Sequence, residues 1–235
     1  MTKTQFGSGA MALALAFASL LLPGTAVAQE VDLDAFRSGP IFEEFGDHAP
    51  VEGVENFAPE TEFAIAFDVA KRADPELVKL FGHLPRTPYG VVAVPAYAEK
   101  SQTTAYYQPG SLAAGRPGNY FANTYALDTR PSWEMEALTL HEAVPGHHLQ
   151  IAIQQELGEL PWYRRYGWGY TAFVEGWGLY SERLGIEMGL YDTPAKQMGR
   201  LSYEMWRATR LVVDTGLHSK GWSKQQAVDF MTDNT

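Results

Sequence analysis

The 235-residue sequence is 46% hydrophobic and 20% charged, the balance of an ordinary soluble globular protein with a real core. Its formal net charge of −10 argues against nucleic acid, whose binding needs a basic surface, and against anionic membrane surfaces. With no cysteine, disulfides, thiolate zinc sites and cysteine nucleophiles are excluded, so any metal must be held by His, Asp or Glu.

Residues 1–28 read as a secretory signal peptide. Lys3 is the single charge, an apolar run spans Ala10 to Leu22, and the small residues "AVA" precede Gln29, with cleavage expected after Ala28. The run is too short for a membrane span, and no cysteine follows it to carry a lipoprotein anchor, so the expected location is periplasmic or secreted. Residues 29–58 are acidic, broken by Gly and Pro and without periodicity, and read as an irregular lead-in. His48 within them and His83 further on read as non-ligand histidines.

From Pro59 the spacing turns helical. Phe63, Ile65, Phe67, Val69 and Ala70 are followed by a break at Asp74-Pro75, then Leu77, Leu80 and Phe81, predicting two short helices. Between Tyr89 and Ala126 the β-branched and aromatic runs "YGVVAVPAY", "TTAYYQPG" and "NYFANTYAL" predict three short strands. Pro95 and Pro109 suggest edge strands of a small antiparallel sheet. Everything after Thr129 reads as helix, in segments 131–158, 168–188, 194–217 and 223–233, with Thr129 as cap and Pro131 in the first turn of the leading one. The fold class is mainly α (α+β), with residues 59–235 as one partial catalytic domain.

The chemistry concentrates in "LHEAVPGHHLQ", Leu140 to Gln150. Three of the six histidines fall within eight residues, next to Glu142 and around Pro145-Gly146. In a His-Glu-x-x-His zinc motif the histidines stand at i and i+4, and the Glu activates the metal-bound water. Here position i+4 is Pro145, which removes a backbone donor and clashes with the carbonyl of His141. On an unbroken helix His147 lies about 120° and His148 about 20° off the His141 direction. A Pro-Gly bulge lets His147 stand in for the usual second histidine, and spacing alone leaves both open.

The third ligand is expected from "TAFVEGWGLYSERLGIEMG", Thr171 to Gly189. Phe173, Trp177, Tyr180, Leu184 and Met188 form its apolar stripe, while Glu175 and Glu182 share another face with Gly178 between them. Glu175 is the expected ligand and Glu182 the residue orienting a histidine. On the following helix Tyr203, Arg207, Arg210, Asp214 and His218 recur as a polar stripe. If it lines a cleft, Tyr203 or His218 would stabilise an oxyanion and Arg207 or Arg210 would clamp a substrate carboxylate.

The motifs "HEAVPGHHLQ", "FVEGWGLYSERLG", "GRLSYEMWRATRLVVDTGLH" and, upstream, "YYQPGS" with "RPGNYFANTY" resemble the bacterial family labelled domain of unknown function 885 over Leu84 to Thr235. The resemblance implies a predominantly helical zinc metallopeptidase of the glutamate-zincin type. It implies one Zn²⁺ held by His141, one of His147 and His148, and Glu175, with Glu142 as general base and a peptide as substrate. It also implies a longer chain, with a helical portion before the strands and a further segment after Thr235, so this sequence reads as a shortened member. Two rival expectations are a catalytically silent remnant that binds metal or peptide, and a metal-free helical interaction protein. A serine hydrolase is the weakest rival, since no Gly-x-Ser-x-Gly elbow occurs.

Overall fold

The structure, a computed structural model, describes residues 59–235 apart from Trp168. The signal peptide and the acidic lead-in lie outside the described residues. The protein is mainly helical with one small sheet, and its described residues fall into two compact units, 59–200 and 201–235. No helix among them is long and apolar enough to cross a membrane.

The first unit opens with α1 (Pro59–Ala73), a 3₁₀ turn at Asp74–Glu76 and the short α2 (Leu77–Leu80). The expected break at Asp74-Pro75 is this turn, where proline stands in the first positions of the 3₁₀ segment. The buried stripe of α1 is made of small residues, Ala66, Val69, Ala70 and Ala73, whereas Phe67 is exposed. Three alanines give α1 a thin face on which it packs against α3 (Met135–Glu142).

Strands β1 (Tyr89–Ala93), β2 (Ala105–Gln108) and β3 (Gly118–Ala122) form a sheet of order β1-β3-β2. β2 runs antiparallel to β3, with Tyr107 opposite Tyr120, but β1 runs parallel to it, so the sheet is mixed rather than antiparallel. The connection through residues 94–104 and β2 brings the chain back on the far side of β3. β1 and β2 are both edges, as Pro95 and Pro109 just past their ends suggested, and β3 is central. Alternation puts Gly118, Tyr120 and Ala122 of β3 on the buried face.

The helices that follow are α3, α4 (His147–Glu156), α5 (Trp162–Tyr166), α6 (Thr171–Leu184) and α7 (Pro194–Ser219), whose first turns belong to this unit. Thr129 does not cap α3. Its hydroxyl donates to the Ala126 carbonyl at 2.7 Å, and a 3₁₀ turn at Ser132–Glu134 leads into the helix. The core gathers Leu77, Leu140, Val144, Leu149, Leu184, Met188, Leu190 and Tyr191. Each such buried side chain contributes about 1.5–3 kcal/mol of hydrophobic stabilisation. Phe173, placed in the core stripe of α6 by its spacing, is 61% exposed, because only the C-terminal half of that helix is enclosed.

Two carboxylates, one buried and one half-buried, tie the elements together. Glu136 on α3 is 2% exposed and meets Arg72 of α1 at 3.0 Å and Lys196 of α7 at 2.8 Å. Glu156 ends α4, where the helix dipole disfavours an acid. It is held there by the Arg86 and Thr87 backbone N–H groups at 2.8 and 3.0 Å and by the Arg86 guanidinium at 3.1 Å.

The second unit holds the remainder of α7 and α8 (Lys224–Thr232). Gly216 leaves room for the Trp222 ring, and Ser223 and Gln226 form a capping box that starts α8.

Candidate metal centre

The Pro-Gly insertion ends one helix and starts another. α3 stops at Glu142, residues 143–146 make a turn with a cis Val144–Pro145 bond, and α4 begins at His147. Gly146 is required by close approach, since any Cβ there would run into the carbonyl of His141. The turn is fastened by Trp177 of α6, whose indole N–H donates to the Pro145 carbonyl at 2.8 Å. The axis therefore changes between the histidines, and the angles of a single unbroken helix do not apply.

This re-aiming brings His141, His147 and Glu175 together, one ligand atom from each lying within 4.8 Å of the others. His141 Nε2 is 3.2 Å from Glu175 Oε2, and His147 Nε2 is 3.6 Å from Glu175 Oε1. The two imidazoles meet nearly edge to face, with centroids 4.6 Å apart. Two donors at 2.0–2.1 Å on a tetrahedral ion are about 3.4 Å apart, so these spacings fit a divalent metal with no large movement. A His₂Glu set is also the donor chemistry of catalytic zinc, which leaves a fourth position open. The Glu175 side chain is 52% exposed, so the cluster faces solvent on that side.

Behind the cluster, His141 Nδ1 lies 2.7 Å from Oε1 of Glu182, a carboxylate that is 1% exposed. With Nδ1 donating to Glu182, Nε2 is the nitrogen turned towards Glu175 and the one that would take a metal. Glu182 is placed in turn by its own helix turn, whose carbonyl accepts from Tyr191 O–H at 2.6 Å. Gly178 completes the fit: a Cβ there would stand 2.5 Å from His141 Cε1 and 2.6 Å from Nε2, so only glycine lets the ring lie against α6. A glycine inside a helix costs about 1 kcal/mol against Ala, and this close approach supplies its reason.

The charges answer one another. Burial disfavours the His141 imidazolium, but the hydrogen bonds to Glu175 and Glu182 outweigh it and carry its pKa up to about 9. Hydrogen bonds to the same two histidines hold the Glu175 carboxyl far below the usual carboxylate range. Glu142, half-buried next to His141 at the end of α3, adds negative charge that favours the same imidazolium.

His148 does not join the cluster. It points towards the sheet, where Tyr107 O–H lies 2.9 Å from its Nδ1 and the Tyr89 ring packs at 4.7 Å. Burial there pushes its pKa down to about 4, against a hydrogen bond to the Thr87 backbone that favours the charged form. A neutral ring accepts from Tyr107 while its other side faces Thr87. Tyr107, Tyr191 and Trp177 are the supporting residues that sequence reasoning missed. All three are aromatics in apolar runs, and their hydroxyl and indole groups give no periodic signal.

Tyr203, Arg207, Arg210 and His218 belong to the unit of residues 201–235, and none is in the His–His–Glu cluster. The Arg207 guanidinium lies 5.4 Å over the Tyr203 ring, and that of Arg210 lies 4.7 Å over Trp206. His218 is exposed, with Nε2 3.7 Å from Asp214 Oδ1.

Among known proteins, the chain is similar to a solved structure described as "the putative lipoprotein from Colwellia psychrerythraea", with 30% identity and a TM-score of 0.71. That likeness covers 97% of this chain, which spans 37% of the length of the Colwellia protein. No curated protein matches the sequence. The family model described as "Bacterial protein of unknown function (DUF885)" matches residues 54–235, more than three quarters of the sequence, and the chain belongs to that family.

Proposed function

We propose that this protein is a zinc-dependent, peptidase-like hydrolase exported to the periplasm or beyond. The observation that carries the reading is the convergence of His141, His147 and Glu175 from three helices, with Glu182 behind His141 and Glu142 beside it. The signal-peptide pattern of residues 1–28 supports the location.

His141, His147 and Glu175 would hold the metal. Bound there, Zn²⁺ supplies Lewis acidity and lowers the pKa of a coordinated water. Glu182 keeps the His141 Nδ1 proton in place and the ring oriented. Glu142 is the group that accepts a proton from the attacking water and passes it to the leaving amine. Proton transfer of this kind contributes on the order of 10²–10⁴-fold. Among the described residues β2 is an edge strand, and its backbone would offer groups along which an extended peptide can align.

The test is cleavage of a peptide library by zinc-loaded wild type and Glu142→Gln, with zinc content measured on both. The reading expects about one zinc per chain in each and cleavage that falls at least 100-fold in the variant. Equal residual activity in both would mean a silent metal- or peptide-binding protein. Equal zinc content in wild type and His141→Ala would remove the metal site itself.

A further inference from the structure

At the C-terminal end of β2 the first unit has a cavity of about 570 Å³, within the size range of small-ligand pockets. Tyr106, Tyr107, Ser111, Gln155 and Tyr166 line it together with Arg116, and no acidic residue does. Among the described residues no ion pair takes up the Arg116 guanidinium, although the chain carries a net charge of −10. Its backbone is nonetheless fixed: Arg116 and Ser111 exchange hydrogen bonds at 3.0 and 2.8 Å across a loop that borders the cavity. A second cation stands behind the wall, where Arg165 donates to the Gln155 carbonyl at 2.7 Å and lies 5.1 Å over the Tyr166 ring. An exposed arginine without an ion pair, in a lining that otherwise consists of tyrosines, glutamines, a serine, a proline and a glycine, is chemistry for a carboxylate on an otherwise apolar ligand.

The position says which carboxylate. The cavity adjoins β2, an edge strand among the described residues, and Tyr107 links it to His148, the residue after His147. Gln155 follows His147 by eight residues in the same helix, about 12 Å along its axis. An extended peptide covers that distance in about three or four residues. We propose that this cavity is a subsite in which Arg116 takes the C-terminal carboxylate of a short peptide lying along β2. The proposal rests on the peptidase reading for its ligand, and it restricts that reading to substrates with a free C-terminus near the bond attacked.

The test uses an N-terminally fluorescein-labelled hexapeptide ending in phenylalanine, prepared as the free acid and as the amide. Its binding to the metal-free full chain is followed by fluorescence anisotropy. A chain of net charge −10 repels the acid form, so a preference for it requires a specific cation. The expected result is about tenfold tighter binding of the acid. Arg116→Gln should abolish that preference without weakening the amide, and Arg116→Lys should keep part of it. Equal binding of acid and amide, no binding of the acid, or a preference that survives in Arg116→Gln overturns the proposal. Cleavage is scored separately with zinc-loaded protein. An intact acid preference without cleavage of either peptide removes the peptidase reading and leaves the subsite standing.

Discussion

Gly178→Ala isolates the metal-site geometry from the fold. The added methyl would stand 2.5–2.8 Å from three atoms of the His141 ring, against about 3.5–4.0 Å for ordinary contact. Relief therefore needs the ring and helix α6 to part by about 1 Å. A shift of that size moves Nε2 relative to Glu175 and His147 and pulls Nδ1 from Glu182, so zinc affinity should fall about 10–100-fold, as when a supporting residue is lost. The fold gains helix propensity of about 1 kcal/mol from Gly→Ala, which offsets part of the strain. Gly176→Ala is the control, since a Cβ there meets nothing within 4 Å. It should gain helix stability and leave zinc binding alone. Competition with a chromophoric chelator reads affinity, and thermal unfolding of the metal-free proteins reads the fold. Wild-type zinc affinity in Gly178→Ala would refute the reasoning.

Glu182→Gln keeps an acceptor for His141 Nδ1 but removes the buried charge, and should lower zinc affinity about 10-fold or more in the same competition assay. Glu156→Gln tests the tie between α4 and the chain before β1. Burial works against the Glu156 carboxylate, but the donors of Thr87 and Arg86 outweigh it and hold its pKa below the usual carboxylate value. A carboxyl depressed in the folded state stabilises above its unfolded pKa of about 4.3, and loses that contribution as pH falls through its folded value. The variant should thus be about 1–3 kcal/mol less stable at pH 7 by urea unfolding, and the gap should close in acid. A gap that is constant or widens on acidification contradicts this.

Much of the site was legible because its residues break local rules. Pro145 and Gly146 inside an apolar helical pattern signal a purposeful interruption, and Gly178 next to Glu175 and Glu182 signals close approach. The choice between His147 and His148 was not legible, since it depends on a change of axis set by a turn and by Trp177 on a distant helix. The helices and strands followed from periodicity and breakers, whereas the parallel pairing of β1 with β3 depends on how the chain crosses between them, which local pattern does not encode. Core membership failed where side-chain size was the guide. Phe173, spaced with the apolar stripe of its helix, is exposed, because enclosure is decided by what packs opposite.

The central claim is that His141, His147 and Glu175 bind one zinc ion, and anomalous diffraction at the zinc absorption edge tests it most directly. Crystals grown with zinc should show a single strong peak within about 2.0–2.2 Å of His141 Nε2, His147 Nε2 and a Glu175 carboxylate oxygen, with His148 still paired to Tyr107. No peak between these side chains, or a peak coordinated by His148 in place of His147, would contradict it.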